Sequence, residues 1–200
     1  MNLYKEIKEA SQGFYKEKGS KFISYIFPVY SKNEITKNLK KIKRTENSAN
    51  HYCYAYILNY DQSNYKAYDD GEPSSTAGRP ILGQIRSNKL TNTLIIVVRY
   101  FGGKKLGSSG LIRSYKNAAL NAIQNSLIIT KKIKNFYKIS FNYNDTNIVM
   151  SLIKKNKLEI INSELGISSN IIFAVSKDNE HIINNFINIH SCTIKYLKTE

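Results

Sequence analysis

Two short stretches concentrate the residues of this chain that could do chemistry. The first, Asp69-Asp70-Gly71-Glu72-Pro73-Ser74-Ser75-Thr76-Ala77-Gly78-Arg79-Pro80, sets three carboxylates beside three hydroxyls. Asp69, Asp70 and Glu72 could hold Mg²⁺, or one of them could act as a general base. The loop contains no His or Cys and no readable nucleophile–base pair. A hydrogen-bonded loop is therefore the competing reading, with Asp70-Gly71 making a turn and Ser74, Ser75 and Thr76 satisfying backbone groups. An ion pair from Arg79, Arg99 or Arg113 would tie this loop to the second stretch. That stretch runs Arg99-Tyr100-Phe101-Gly102-Gly103-Lys104-Lys105-Leu106-Gly107-Ser108-Ser109-Gly110-Leu111-Ile112-Arg113-Ser114-Tyr115. Its glycines let backbone amides approach a ligand, and a helix starting near Ser108 adds the positive end of its dipole. With Ser108, Ser109, Arg99, Lys104, Lys105, Arg113 and Lys116, this is a candidate phosphate or nucleic-acid site. Tight packing, with serines capping a helix, is the alternative.

Known nucleotide motifs do not fit. A Walker loop needs Lys after its last glycine, but Ser108 follows Gly107, and the dinucleotide spacing G-x-G-x-x-G is absent. His51 and Cys53 could be metal ligands or a Cys–His pair. However, His181 and His190 lie far downstream and no further Cys/His stands at metal spacing, so a structural role is the expectation. No metal site and no cofactor is expected.

These residues need a frame. Leu94-Ile95-Ile96-Val97-Val98 is short and β-branched, which predicts a buried central strand directly before Arg99. Phe14 to Tyr30 reads as a hairpin turning at Gly19-Ser20. Ser31 then caps a helix, with Glu34 completing a capping box. Ile35, Leu39 and Ile42 form the apolar stripe of that helix, opposite Lys37, Lys40, Lys41, Lys43 and Arg44. In the strand His51–Leu58, period two sends His51, Cys53 and Ala55 to one face and Tyr52, Tyr54 and Tyr56 to the other. Arg79–Asn88 is a short helix with Pro80 in its opening turn. The helix after Ser108 presents Leu111, Ile112, Tyr115, Ala118, Ala119, Ala122 and Ile123. Beyond Thr130-Lys131-Lys132 the pattern changes to strand 136–141, helix 146–157, strands 158–163 and 170–176, helix 178–189 and strand 192–197. That order is βαββαβ, the ferredoxin-like arrangement. An exposed basic connection at 130–134 would divide the chain into domains 1–130 and 134–200.

Composition sets outer bounds. A hydrophobic fraction of 42% supports a core, and no stretch approaches the ~18 apolar residues of a membrane span. The start of the chain has no signal-peptide core, and two distant cysteines suit a reducing cytoplasm, so a cytoplasmic location and no membrane contact are expected. The formal charge is +15. An anionic partner would explain it, and so would AT-rich codons, since Lys, Asn and Ile are all abundant. Residues 1–130 hold 20 basic and 9 acidic side chains, and 131–200 hold 10 and 6, so the first part is the more basic.

The two stretches resemble the Impact/YigZ family. Its pattern reads approximately D-G-E-P-S-G-T-A-G-x-P-I-L, then an apolar strand, then V-R-Y-F-G-G-x-x-L-G-x-G-G-L-x-R-A-Y. Asp70, Gly71, Glu72, Pro73, Ser74, Thr76, Ala77, Gly78 and Pro80-Ile81-Leu82 match it here. So do Arg99-Tyr100-Phe101-Gly102-Gly103, Leu106-Gly107, Gly110-Leu111, Arg113 and Tyr115, and His51-x-Cys53-x-Ala55 is similar to the family's strand. The departures are Ser75 and Ser109, each for a glycine, and Ser114 for alanine. The resemblance implies an α+β protein of two domains. The first would be like domain two of small-subunit ribosomal protein five and domain IV of elongation factor G. The second would be ferredoxin-like, as in domain V of that factor.

The family's eukaryotic relatives are linked to translational control through a ribosome-associated activator. The resemblance thus implies a non-enzymatic RNA- or ribosome-associated factor in translation regulation. Two alternatives stay open. One is a nucleotide-dependent enzyme, because Leu106-Gly107-Ser108-Ser109-Gly110 is similar to the phosphate loop of small-metabolite kinases. The other is a protein-binding module for a translation factor.

Overall fold

The computed structural model describes residues 2–200. It falls into two compact units, Tyr4–Lys131 and Lys132–Glu200, the latter also taking in Asn2 and Leu3. The first unit contains, in order and apart from the end residues Leu3 and Lys132, β1 (Leu3–Ile7), β2 (Ser11–Glu17), β3 (Ser20–Pro28), α1 (Lys32–Thr45), β4 (His51–Leu58), β5 (Asn64–Tyr68), α2 (Gly78–Ser87), β6 (Thr93–Tyr100), α3 (Gly107–Gln124) and β7 (Ile128–Lys132). Its main sheet has the order β2-β3-β6-β4-β5, with every neighbour antiparallel, and β1 pairs with β7 in a separate ribbon.

Strand parity builds the two cores of this unit. In β6, Ile95 and Val97 join Cys53, Ala55 and Ile57 of β4 beneath α2 and α3. Leu94, Ile96 and Val98 join Tyr25, Tyr56, Ile35 and Ile42 on the α1 face. β6 is apolar along its length because both of its faces are covered, as its central position requires. The Ser31 cap forms as expected, accepting from the Glu34 amide at 3.3 Å. The Glu34 carboxylate, however, reaches back to the amide of Tyr30, one residue before the cap, at 2.9 Å. Along α3, Leu111, Tyr115, Ala118, Ala119, Ala122 and Ile123 are buried, whereas Ile112 is 42% exposed at the margin of the stripe. The alanines let α3 lie directly on β2.

In the second unit, β8 (Lys134–Asn142), α4 (Thr146–Lys155), β9 (Glu159–Glu164), β10 (Ser168–Ser176), α5 (Ile183–Ile187) and β11 (Thr193–Thr199) form one antiparallel sheet of order β11-β8-β10-β9. With helices on one face this is the ferredoxin-like βαββαβ topology. Tyr137, Ile139, Phe141, Ile171, Phe173 and Val175 supply the sheet's share of the core, and Val149, Ile153, Ile183 and Phe186 the helices' share. The last helix is shorter than expected. Lys177–Ile182 is a 3₁₀ segment with Asn179 outside helical geometry, and only α5 is α-helical. The segment opens Lys177-Asp178-Asn179, and Asp and Asn disfavour helix interiors because their side chains can bond the backbone locally.

Three strands were not expected: β1, β5 and β7. β5 is an edge strand and mostly exposed, and β1 and β7 pair only with each other. Thr130-Lys131-Lys132, expected as an exposed connection, is the end of β7. Lys131 there is ion-paired to the buried Glu6.

Candidate functional site

The parity of β6 decides the fate of its last charged residue. Arg99 follows Ile95 and Val97 on the face beneath α3, so strand geometry carries a guanidinium to the edge of the core. Glu72 comes from the loop between β5 and α2 to meet it. Arg99 Nη1 donates to Glu72 Oε1 at 2.6 Å, with the two side chains 7% and 3% exposed. The Tyr115 hydroxyl from α3 donates to the same oxygen at 2.7 Å, and His51 Nε2 faces it at 3.9 Å. Arg99 Nη2 lies 3.5 Å from Ser20 Oγ, and the Phe22 and Phe101 rings flank its guanidinium at 5.6 and 5.7 Å. Of the three arginines considered for a tie between the loops, Arg99 is the one that makes it.

The remaining carboxylates of the first loop are committed to its backbone. Asp69 accepts from the amides of Ser75 at 2.9 Å, Ala77 at 3.0 Å and Gly78 at 2.8 Å. It thereby caps α2 from outside the helix, which has no side-chain cap at Ala77. Asp70 accepts from the Tyr52 amide at 2.7 Å, and its carbonyl accepts from His51 Nδ1 at 2.8 Å. A carbonyl cannot donate, so Nδ1 carries the proton. The Thr76 hydroxyl donates to the Pro73 carbonyl at 2.6 Å. Gly71 continues the turn from Asp70, and Ser74 is exposed. Asp69, Asp70 and Glu72 thus act as the hydrogen-bonded frame of the loop. Among the described residues, no group of three His, Cys, Asp or Glu side chains could hold a metal ion.

Cys53 and His51 do not form a catalytic pair. The Cys53 thiol donates to the Asp69 carbonyl at 2.9 Å and lies 3.3 Å from the Tyr115 hydroxyl. Burial pushes its pKa well above the ordinary thiol range, so it stays protonated. Burial first, and then its neighbours Cys53 and Glu72, raise the Tyr115 hydroxyl in the same way.

The two loops converge around a cavity of about 310 Å³ lined by Glu72, Pro73, Arg99, Phe101, Lys105 and Ser108, among others. The start of α3 forms one wall. Its N-cap, Leu106, gives no side-chain cap, and its first turn holds no acidic residue. Arg99 Nε is buried and has no hydrogen-bond partner among the described residues. Lys104, Lys105, Ser108 and Ser109 are exposed there, and Lys116 is exposed further along α3. Arg113 is 59% exposed and pairs with Glu17 of β2 at 3.1 Å. Arg79, in the first turn of α2, is exposed and forms no ion pair among the described residues. The predicted cations therefore separate into a buried structural one, Arg99, and exposed ones on α2, on α3 and in the loop before α3.

Sequence reasoning missed Ser20, whose Oγ accepts from the Gly102 amide at 3.2 Å. It also gave Tyr115 a place in the apolar stripe and in the family pattern but not the bond of its hydroxyl to Glu72. The signal for Ser20 lay in the turn Gly19-Ser20 and the Gly102-Gly103 pair. A Cβ at Gly102 would fall 2.0 Å from the Gly19 carbonyl carbon, so the hairpin turn and the loop after β6 touch backbone to backbone. The departures from the family pattern have distinct consequences. Ser75 adopts φ 63°, the left-handed conformation a glycine would take without strain. Ser109 sits in ordinary helix, and Ser114 bonds the Gly110 carbonyl at 2.8 Å.

Residues 18–123, which include both loops, match the Impact N-terminal domain. The IMPACT family member YvyE of Bacillus subtilis is 31% identical over 173 residues, covering 86% of this chain and 79% of that protein. An IMPACT family member of Haemophilus influenzae is 30% identical over 165 residues, covering 80% and 79%. The crystal structure of a hypothetical protein has the same fold, with a TM-score of 0.76 at 21% identity over 99% of this chain and 98% of that one.

Proposed function

The chain belongs to the Impact family, and we propose that it works without catalysis as an RNA- or ribosome-associated factor in translational control. Its contact surface in this reading is the face around the start of α3. The observation that supports it most is the uncapped first turn of α3 beside exposed Lys104 and Lys105, with exposed Lys116 further along the same helix. Backbone amides, a helix dipole and mobile ammonium groups on one face are what phosphate contacts need, and they carry no preference for base sequence. The candidate bases argue against catalysis. Asp69, Asp70 and Glu72 are held by amides, an arginine and a tyrosine, and the Cys53 thiol stays protonated. The translational setting comes from the family's eukaryotic relatives.

The test is ribosome co-sedimentation and RNA binding across a salt series. Replacing Lys104, Lys105 and Lys116 by Ala removes three phosphate contacts. The slope of log K against log salt should then flatten by about 2, at ~0.7 per contact with single strands. An unchanged slope and affinity would remove this face from the interaction.

The cavity at the start of α3 favours one second reading, that it takes the phosphates of a nucleotide. Thermal shift with ATP, GTP and Mg²⁺ separates the two, since a ligand that binds the folded state raises the midpoint. No shift at millimolar nucleotide eliminates the second reading.

A further inference from the structure

The opposite face of the same sheet carries a groove that the α3 surface does not use. It lies between α1 and the β4–β5 hairpin, has a volume of about 390 Å³, and is lined by Lys40, Lys43, Tyr52, Tyr54, Lys66 and Tyr68, together with Thr36 and Leu39 of α1. We propose that this groove binds unpaired nucleotides of a single-stranded RNA, with bases stacking on Tyr54 and Tyr68 and phosphates held by Lys40, Lys43 and Lys66.

Its construction follows from strand parity. Tyr52 and Tyr54 are the β4 residues that alternate onto the α1 face, and Tyr68 is the cross-strand partner of Tyr54 on β5. The Tyr54 and Tyr68 rings lie 5.2 Å apart at 38°. Tyr68 is 44% exposed. Because β5 is the last strand of the sheet, the groove opens past Tyr68 to solvent. The Tyr52 hydroxyl donates to the Glu46 carbonyl, fixing that ring as the inner wall.

Charge selects the ligand. Three lysines line the groove and no carboxylate does. The acidic groups on adjoining elements are already engaged: Glu34 at the α1 cap, Glu46 with Tyr100 at 2.5 Å and with Tyr25, and Asp70 with the Tyr52 amide. Lys43 Nζ sits 5.3 Å from the Tyr52 ring and Lys66 Nζ 5.7 Å from the Tyr68 ring. Cations beside exposed aromatic faces are the pairing that holds single strands without sequence preference. An acidic peptide would satisfy the lysines but leave the tyrosine faces unused. A duplex presents phosphates but keeps its bases within the stack.

The experiment is fluorescence polarisation of a labelled short oligouridylate and of an RNA duplex against the full chain. Three variants accompany the native protein: Tyr68→Ala, Lys40→Ala with Lys66→Ala, and the α3-face variant Lys104→Ala with Lys105→Ala and Lys116→Ala. Tyr68→Ala should weaken the single strand about tenfold, within the range for loss of one base–aromatic stack, and leave the duplex unchanged. Lys40→Ala with Lys66→Ala should lower the salt slope of single-strand binding. Circular dichroism confirms that the exposed substitutions leave the fold intact. If Tyr68→Ala binds the single strand as native while the α3-face variant is weakened, the groove proposal falls and the α3 reading stands. If Tyr68→Ala weakens the single strand and the α3-face variant does not, the groove stands and the α3 placement falls. Native protein that binds labelled polyglutamate but no oligouridylate would make the groove a peptide site and overturn the proposal.

Discussion

Replacing Glu72 by alanine leaves the Arg99 guanidinium without its carboxylate in a place water hardly reaches. The two side chains are 3% and 7% exposed, so solvent screening offers little relief. Breaking a buried pair from one side costs about 3–5 kcal/mol, because the remaining charge is still desolvated. The Tyr115 hydroxyl loses its acceptor in the same step, but it shares the same oxygen, so its ~1–3 kcal/mol is not added in full. The expected loss is therefore about 4 kcal/mol, a large part of the ~5–15 kcal/mol that stabilises a typical domain. Arg99→Met should cost about 3 kcal/mol, since Glu72 keeps the Tyr115 hydroxyl. The double variant Glu72→Leu with Arg99→Met removes both charges and should lie within about 2 kcal/mol of native, as buried pairs replaced by apolar residues commonly do. Closed with the single variant Glu72→Leu, which strands Arg99 as Glu72→Ala does and should lose a similar ~4 kcal/mol, the cycle gives a coupling of about 5 kcal/mol, beyond the usual range for neighbours, as expected when a charge is stranded in each single variant. Equilibrium urea unfolding followed by circular dichroism measures all four. A double variant that loses the sum of the singles would refute the pair as the tie between the loops. So would a Glu72→Ala change of less than about 1 kcal/mol.

Gly102→Ala should cost about 3 kcal/mol, the upper end of the ~1–3 kcal/mol typical of overpacking, since its Cβ would meet the Gly19 carbonyl carbon, backbone that cannot yield, at 2.0 Å. The thermal midpoint checks it, and an unchanged midpoint would mean the two backbones are not in contact. Ser75→Gly should instead stabilise by about 0.5–1 kcal/mol, the left-handed penalty at φ 63° less the added freedom of the unfolded chain; a loss of stability would show that the hydroxyl matters more than the conformation. Burial raises the folded pKa of Cys53, Tyr25 and Tyr115 above their ordinary values of 9.0 and 10.0. Groups raised on folding contribute stability that is complete below the unfolded pKa and is lost as pH climbs. Urea midpoints should therefore be insensitive to these groups below pH ~9 and fall above it, first through Cys53 and then through the tyrosines; a midpoint flat to pH ~11 would contradict their burial.

How much of this was legible in the chain depended on whether a residue's neighbours were set by periodicity or by tertiary placement. The β-branched run 94–98, the alanine-bearing stripe of α3 and the βαββαβ order were readable because burial on a known period dictates residue type. β5 was not readable, since an exposed edge strand has no apolar alternation to show, and β1 and β7 are held by each other rather than by the main sheet. At the site, the meeting of the two loops was readable from their residue types, and Arg99 stood among three candidates for the tie. What the types alone could not give was the depth of each cation. Arg99 has the same chemistry as Arg113, yet parity with Ile95 and Val97 puts one under α3 while the other reaches solvent from the α3 surface. Depth decides use. A guanidinium matched at 2.6 Å to a buried carboxylate contributes little to attracting a distant phosphate, because the pair's fields largely cancel beyond a few ångströms. In the proposed phosphate contact, the long-range attraction would therefore come from Lys104, Lys105 and Lys116. Arg99, which lines the cavity and whose Nε has no partner among the described residues, would keep a short-range part. That division makes salt dependence the property of the lysines and shape selectivity the property of the Arg99–Glu72 frame, so substitutions in the two sets should alter different features of one binding curve.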